Sequence, residues 1–384
     1  MELYIHIPFC VQKCRYCDFV SFPCSEEAKK HYIDLVLSEA RERAKHCVLR
    51  PFDTVYIGGG TPSLLSPELL TKLIGGLREI LPMDKVSEFS VECNPGTVKE
   101  EWLSTALELG INRFSVGVQA YQDSLLKMLG RIHCFEDVLH TVELFKKHHV
   151  SNYNLDLMFG LPRQTPEQWE ETLNKVLSLE PAHLSVYGLI PEENTPLKRD
   201  LDEGVLALPE PETERDMYYA AKQLLAEKGF RQYEISNFSL PGKECRHNIG
   251  YWTQVPYLGL GLAASSMLNV EMTDNGIRYQ RTVNPADMRD FEALVEKKES
   301  KVREIEEILP EDAAFETVML RLRMNKGIDD REYERLHGHR FSEKYDSVIK
   351  RYLDLGLMQV KDGCYSLTDA GFDIQNSILV DFME

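Results

Sequence analysis

Apolar, β-branched and aromatic residues recur in short runs through the first half of the chain. The runs predict strands over residues 3–7, 54–57, 88–92, 113–118, 154–158 and 183–187. Between them lie segments with helical apolar spacing and helix-start signals. Ser66 before Pro67 reads as an N-cap followed by proline at the first helical position, and Thr165-Pro166-Glu167-Gln168 as a capping box with the same proline placement. Strand then helix, repeated about six times, predicts an α/β fold with parallel strands and right-handed crossovers. The polar and glycine-rich motifs all follow strands. That favours a partial (β/α)6 barrel, with its site on the C-terminal rim, over a doubly wound sheet.

The pattern changes after about Pro196. An amphipathic helix is expected over 212–229, and apolar stretches at 233–238 and 257–267 complete the core. Beyond Pro310 come three helical stretches and then two short strands. Asp362-Gly363 between alternating apolar residues is a hairpin signal. Helices followed by such a hairpin resemble a winged-helix module. The expected division is residues 1–200, a partial barrel; 201–300, a connecting region; and 301–384, a small α+β winged-helix-like domain.

Composition narrows the classes. The 384 residues are 43% hydrophobic and 28% charged, which suits an ordinary globular protein large enough for more than one core. No apolar run approaches the roughly 18 residues of a membrane span, and the N-terminus has no basic region or cleavage site, so a cytoplasmic address is expected. The net charge of 44 − 62 = −18 repels phosphate backbones, which disfavours nucleic acid as a partner, the winged-helix module included. Peripheral contact with a membrane stays open. An odd number of cysteines, nine, argues against a disulfide framework.

Three of the nine fall together in Cys10-Val11-Gln12-Lys13-Cys14-Arg15-Tyr16-Cys17, directly after the first predicted strand. Thiolates at this spacing can each reach one corner of a cubane cluster and leave one iron open to an outside ligand. Zinc is the rival, but it wants a fourth thiolate or imidazole, and the nearest, His6, lies within the strand. Three metal-free loop cysteines are the plainer alternative. A second motif, Gly58-Gly59-Gly60-Thr61-Pro62-Ser63, offers bare backbone at a strand end, as a tight βα turn also would. Glu92, Gln119, Arg131 and Asp156 stand at or just beyond strand ends. Each alone reads equally as a buried structural polar group; together they converge on the expected rim.

The C-x3-C-x2-C spacing with an aromatic before the last cysteine resembles the radical S-adenosylmethionine (SAM) superfamily. Cys10, Cys14 and Cys17 then hold a [4Fe-4S] cluster, SAM chelates the open iron, and Tyr16 packs near the SAM adenine. The likeness tightens over Tyr4-Ile5-His6-Ile7-Pro8-Phe9-Cys10, the glycine-rich motif, Glu92 with Asn94-Pro95-Gly96, Gly117-Val118-Gln119, Leu129-Gly130-Arg131 and Asp156 through Pro162. These stretches resemble the family of oxygen-independent coproporphyrinogen III oxidases and their HemW-type haem-chaperone relatives, through most of the chain. In that family Tyr4, Gly59, Gly60, Thr61, Glu92, Gln119, Arg131 and Asp156 match SAM-contacting positions. The oxidases bind two SAM molecules, so some of these positions can belong to a second site. By this resemblance, residues 1–200 carry the cluster and SAM.

Two departures separate the branches. The oxidases extend the motif to a fourth cysteine, where this chain has Phe19, and they carry an arm before the first strand. Both put oxidative decarboxylation of a porphyrinogen in doubt. Cys245-Arg246-His247-Asn248-Ile249-Gly250-Tyr251-Trp252 resembles the His-Asn-x-x-Tyr-Trp motif of the haem chaperones, which implies His247 as a haem ligand. A neutral imidazole is a good axial ligand, although the same residues also read as core. The resemblance implies haem and apo-haemoproteins as partners, with the cluster serving SAM binding and either dimerisation or transfer. A homodimer stays open.

Overall fold

A computed structural model describes residues 1–297 and 303–383. The expected boundary between residues 300 and 301 lies outside them.

Six parallel strands form the heart of the molecule: β1 (Glu2–Ile7), β2 (Thr54–Gly59), β3 (Glu88–Cys93), β4 (Arg113–Gln119), β5 (Tyr153–Phe159) and β6 (His183–Gly188). Each hydrogen-bonds to the next in chain order. The stretch 201–300, expected as a connection, supplies five more strands: β7 (Arg231–Gln232), β8 (Asn237–Ser239), β9 (Tyr257–Leu260), β10 (Ser265–Thr273) and β11 (Gly276–Val283), and β12 (Glu304–Ile308) follows. They extend the sheet at both edges, in the order β12-β11-β10-β9-β1-β2-β3-β4-β5-β6-β8-β7. Because β7 and β12 end the row, the barrel is partial and open, in the α/β class that the pattern predicts.

Alternation along the strands explains the architecture. Leu3, Ile5, Ile7, Val55, Ile57, Phe114, Val116 and Leu155 share one buried apolar cluster with helix residues such as Val36, Leu70 and Leu73. The intervening residues point the other way and are polar: Tyr4, His6, Thr54, Tyr56, Glu88, Glu92, Ser115, Asn154 and Asp156. Tyr56 bonds to Glu92, and Ser115 to Asn154 and Asp156, across adjacent strands; Tyr4–His6 and Asn154–Asp156 bond along one strand, and Thr54 and Glu88 bond to His247. A closed barrel fills its interior with branched apolar side chains. Here the lumen is polar, so it is built to hold something polar.

A second apolar core, including Val318, Leu322, Tyr333, Phe341, Ile349 and Leu367, belongs to the C-terminal unit. Its three-stranded sheet joins β13 (Ile328–Asp329), β14 (Met358–Lys361) and β15 (Cys364–Leu367). Asp362 and Gly363 turn the β14–β15 hairpin with φ of 53° and 80°, the positive angles that a tight two-residue hairpin turn requires. Among the described residues, no helix is long and apolar enough to cross a membrane.

Candidate cluster and cofactor site

The loop after β1 carries Cys10, Cys14 and Cys17, all free and half-buried. Its ends are pinned by a parallel bridge between Phe9 and Phe22 and by the Cys10 amide donating to the Phe22 carbonyl at 3.1 Å. Its middle is held on two sides. The Arg15 amide donates to the Leu129 carbonyl at 3.0 Å, the Arg15 carbonyl accepts from Leu197 at 2.9 Å, and the Arg15 guanidinium pairs with Asp200.

Around the loop converge the turns after β2 and β3 and the link between the helices Asp123–Met128 and Phe135–Lys147. Thr61 Oγ1 lies 3.6 Å from Cys10 Sγ. Asn94 Nδ2 donates to Thr61 Oγ1 at 2.6 Å. Arg131 donates to Asn94 Oδ1 and to the Gly117 carbonyl, each at 2.6 Å, and to Cys14 Sγ at 3.7 Å. Burial first, and then the neighbouring Cys14 and Cys10, push the Cys17 thiol up. Among the described residues, no three His, Cys, Asp or Glu side chains are placed to grip one metal ion. A cubane does not need that, since each of its corners takes its own thiolate. Three soft donors on one clamped loop, with a guanidinium to balance thiolate charge, fit such a cluster.

Deeper along the lumen, Glu92 accepts from the Gly59 amide and from the Tyr56 hydroxyl, both at 2.9 Å. Burial, more than the nearby Asp156, pushes its carboxyl up to about 7. Asp156 accepts from Asn154 at 2.7 Å and Ser115 at 3.2 Å, and burial raises it as well. The Tyr4 hydroxyl lies 3.0 Å from His6 Nδ1, and His6 Nε2 reaches the Val20 carbonyl at 2.8 Å. Gln119 ends β4 at φ 69° beside a bulge that re-aims the strand end. Gly60 has no room for a side chain: a Cβ would come within 2.8 Å of the Phe9 carbonyl oxygen. Tyr16 packs on the patch of Ala120, Leu125, Leu126 and Leu129. The structure thus gathers Tyr4, Tyr16, Gly59, Gly60, Thr61, Glu92, Gln119, Arg131 and Asp156 about the strand ends and the lumen they enclose. Tyr56 is an addition that reading the chain did not single out, and Asn94 gains a contact role where the chain showed it only within the Asn94-Pro95-Gly96 stretch.

His247 is placed elsewhere. It lies in the helix Arg246–Trp252, against the N-terminal ends of the strands. From Thr54 to Gly59 is roughly 16 Å at strand rise, so His247 sits at the opposite mouth of the barrel from the cluster loop. The ring is 1% exposed. Nδ1 meets the Thr54 hydroxyl at 2.8 Å, Nε2 meets the Tyr251 hydroxyl at 3.0 Å, and the ring stacks on Tyr56 with centroids 5.2 Å apart. Burial, then Arg113, pushes its pKa down to about 3, so the imidazole is neutral. In this conformation both ring nitrogens are engaged and the side chain is sealed from solvent.

A partial barrel with three cysteines on the first βα loop and a polar lumen defines a radical SAM protein. The model of the radical SAM superfamily matches residues 4–176, and that of the HemN C-terminal domain matches residues 308–374. The solved structure of coproporphyrinogen III oxidase (HemN) from Escherichia coli has the same fold, with a TM-score of 0.84 over 99% of this chain and 89% of that one, at 23% identity. Proteins named heme chaperone HemW are closer in sequence. That of Bacillus subtilis is 34% identical over 99% of this chain and 98% of its own length. That of Lactococcus lactis is 34% identical over 99% and 96%, and that of Escherichia coli is 38% identical over 69% of each. The chain belongs to the HemW family.

Proposed function

We propose that this protein is a haem chaperone of the cytoplasm: it binds haem, holds one [4Fe-4S] cluster on Cys10, Cys14 and Cys17, binds SAM on the rim and lumen residues, and passes haem to apo-haemoproteins. The observation that carries the reading is the full-length likeness to proteins named heme chaperone HemW. Phe19, 67% exposed where the oxidases have a fourth cysteine, supports it.

A cluster on three thiolates supplies one iron with a free coordination position for SAM. The chain's own residues would do the rest. Glu92 offers a carboxylate for the SAM ammonium, Arg131 a cation for its carboxylate, and Asp156 an acceptor for ribose hydroxyls. Gly59 and Gly60 let the ligand approach backbone, and Tyr16 gives the adenine an apolar face. Haem ligation through His247 requires the ring to leave Thr54 and Tyr251. Its neutrality suits an axial ligand once it is freed.

The test is anaerobic reconstitution of wild type and His247→Ala, then haem titration followed by visible spectra, with a parallel assay for porphyrinogen decarboxylation. The expected result is stoichiometric haem binding by wild type, at least a tenfold loss in His247→Ala, and no vinyl product. Vinyl product from coproporphyrinogen III would overturn the reading in favour of an oxidase. Undiminished haem binding in His247→Ala would move the ligand elsewhere.

A further inference from the structure

The side chains around the cluster loop form one continuous path between two of its cysteines. Its members come from the cluster loop, the turns after β2 and β3, and the link between the two helices that follow β4: Cys10 to Thr61, Thr61 to Asn94, Asn94 to Arg131, and Arg131 to Cys14. The direction of every bond is fixed by chemistry. A guanidinium has only donors, so the Asn94 atom facing Arg131 is Oδ1. Nδ2 is then left to donate to Thr61 Oγ1. A cysteine that ligates iron is a thiolate and can only accept, so the single Thr61 hydroxyl proton points to Cys10 Sγ. Thr61 is 2% exposed, which keeps water from competing.

Asn94 is itself held firmly. Its amide donates to Ser63 Oγ at 3.3 Å, and its carbonyl accepts from Thr97 Oγ1 at 2.7 Å. Asparagine suits this position because it accepts at one atom and donates at the other. Aspartate would accept from Arg131 but leave Thr61 without a donor.

We propose that Asn94 is a positioning residue that couples Arg131 to Cys10 through Thr61, and so raises the reduction potential of the cluster on this loop. The inference rests on the cluster reading above. Reduction adds negative charge to a cluster and its thiolates, and hydrogen bonds to the sulfurs stabilise that charge. Arg131 supports Cys14 directly; through Asn94 it also orients the one donor to Cys10.

The test compares midpoint potentials of the anaerobically reconstituted full chain by spectroelectrochemical titration. The set is wild type, Asn94→Ala, Asn94→Asp, Thr61→Val and the double variant Asn94→Ala with Thr61→Val. Iron and sulfide content is measured in each. Both Asn94 variants are expected to keep the cluster and to shift its potential negative. A tenfold change in the reduced-to-oxidised ratio, 59 mV for one electron, is the size to look for. Thr61→Val should shift it likewise, and the double variant no further than Thr61→Val alone, because one path cannot be cut twice. If Asn94→Ala loses the cluster, Thr61→Val carries the comparison. An unchanged potential in Thr61→Val or Asn94→Ala, or additive shifts in the double variant, would overturn the coupling and leave the cluster assignment standing. A wild type that takes up no iron or sulfide would overturn both.

Discussion

Gly59 takes φ +111°, and a Cβ there would overlap the His6 imidazole. Alanine is therefore both strained and crowded. Gly59→Ala is expected to destabilise the fold by about 1–3 kcal/mol, read from the shift in a urea transition; an unshifted midpoint would mean that the turn relaxes freely. Glu92 makes a prediction in pH. Its carboxyl is raised from the ordinary value to about 7. Between the ordinary carboxylate range and 7, the folded chain holds a proton that the unfolded chain has lost, so this group lowers stability as pH rises through that window. A cationic ligand wants the carboxylate ionised. SAM affinity should therefore climb as pH rises through about 7, and Glu92→Gln should flatten the climb; isothermal titration at several pH values checks both. The cysteines, the glycine motif and Glu92 were legible in the sequence because their chemistry sits in short contiguous motifs. Tyr56 was not, and Asn94 was legible only as part of the Asn94-Pro95-Gly96 stretch. Their roles arise only when separate strands and turns meet. His247 was legible as a motif residue, with a ligand and a core reading both open; its burial depends on strand starts far away in the chain, which the motif alone does not show.

The six parallel strands appear where hydrophobic runs predict them, each within two residues at either end. Those strands are buried on the helix face, so burial itself wrote the pattern. Strand β12 was invisible for the opposite reason. Its sequence Glu304-Ile305-Glu306-Glu307-Ile308 holds three acids on an exposed edge, and pairing with Arg281 and Gln280 steadies it rather than apolar burial. The helix Arg246–Trp252 depends on Glu88, whose carboxylate accepts the Arg246 amide at 2.9 Å and the His247 amide at 3.0 Å. These are helix-start donors with no partner inside the helix. Glu88→Ala orphans both. It should cost about 1–3 kcal/mol and speed hydrogen exchange at residues 246 and 247. Exchange as slow as in wild type would mean that other contacts hold this helix.

The partial barrel and the C-terminal unit meet through buried polar contacts as well as covalently. Thr317 Oγ1 lies 2.5 Å from Gln254 Oε1 and 2.9 Å from His337 Nε2, all three buried. Thr317→Val leaves the other two short of a partner, and a loss of about 1–3 kcal/mol is expected, measured by thermal unfolding. No change would place the strength of this junction in its apolar contacts. The overall architecture was readable because alternating strand and helix leave few topologies open. The extension of the sheet at both edges was not, since β7 and β8 span only two and three residues and the second half of β10 is mostly exposed, without an apolar run to mark it. The decisive measurement on function is haem transfer. Haem-loaded, cluster-reconstituted protein is mixed with an apo-haemoprotein, and the transfer rate is followed against acceptor concentration. A chaperone predicts a rate that rises with acceptor and saturates, because haem moves within a complex of the two proteins. A rate independent of acceptor, equal to simple haem dissociation, would contradict it.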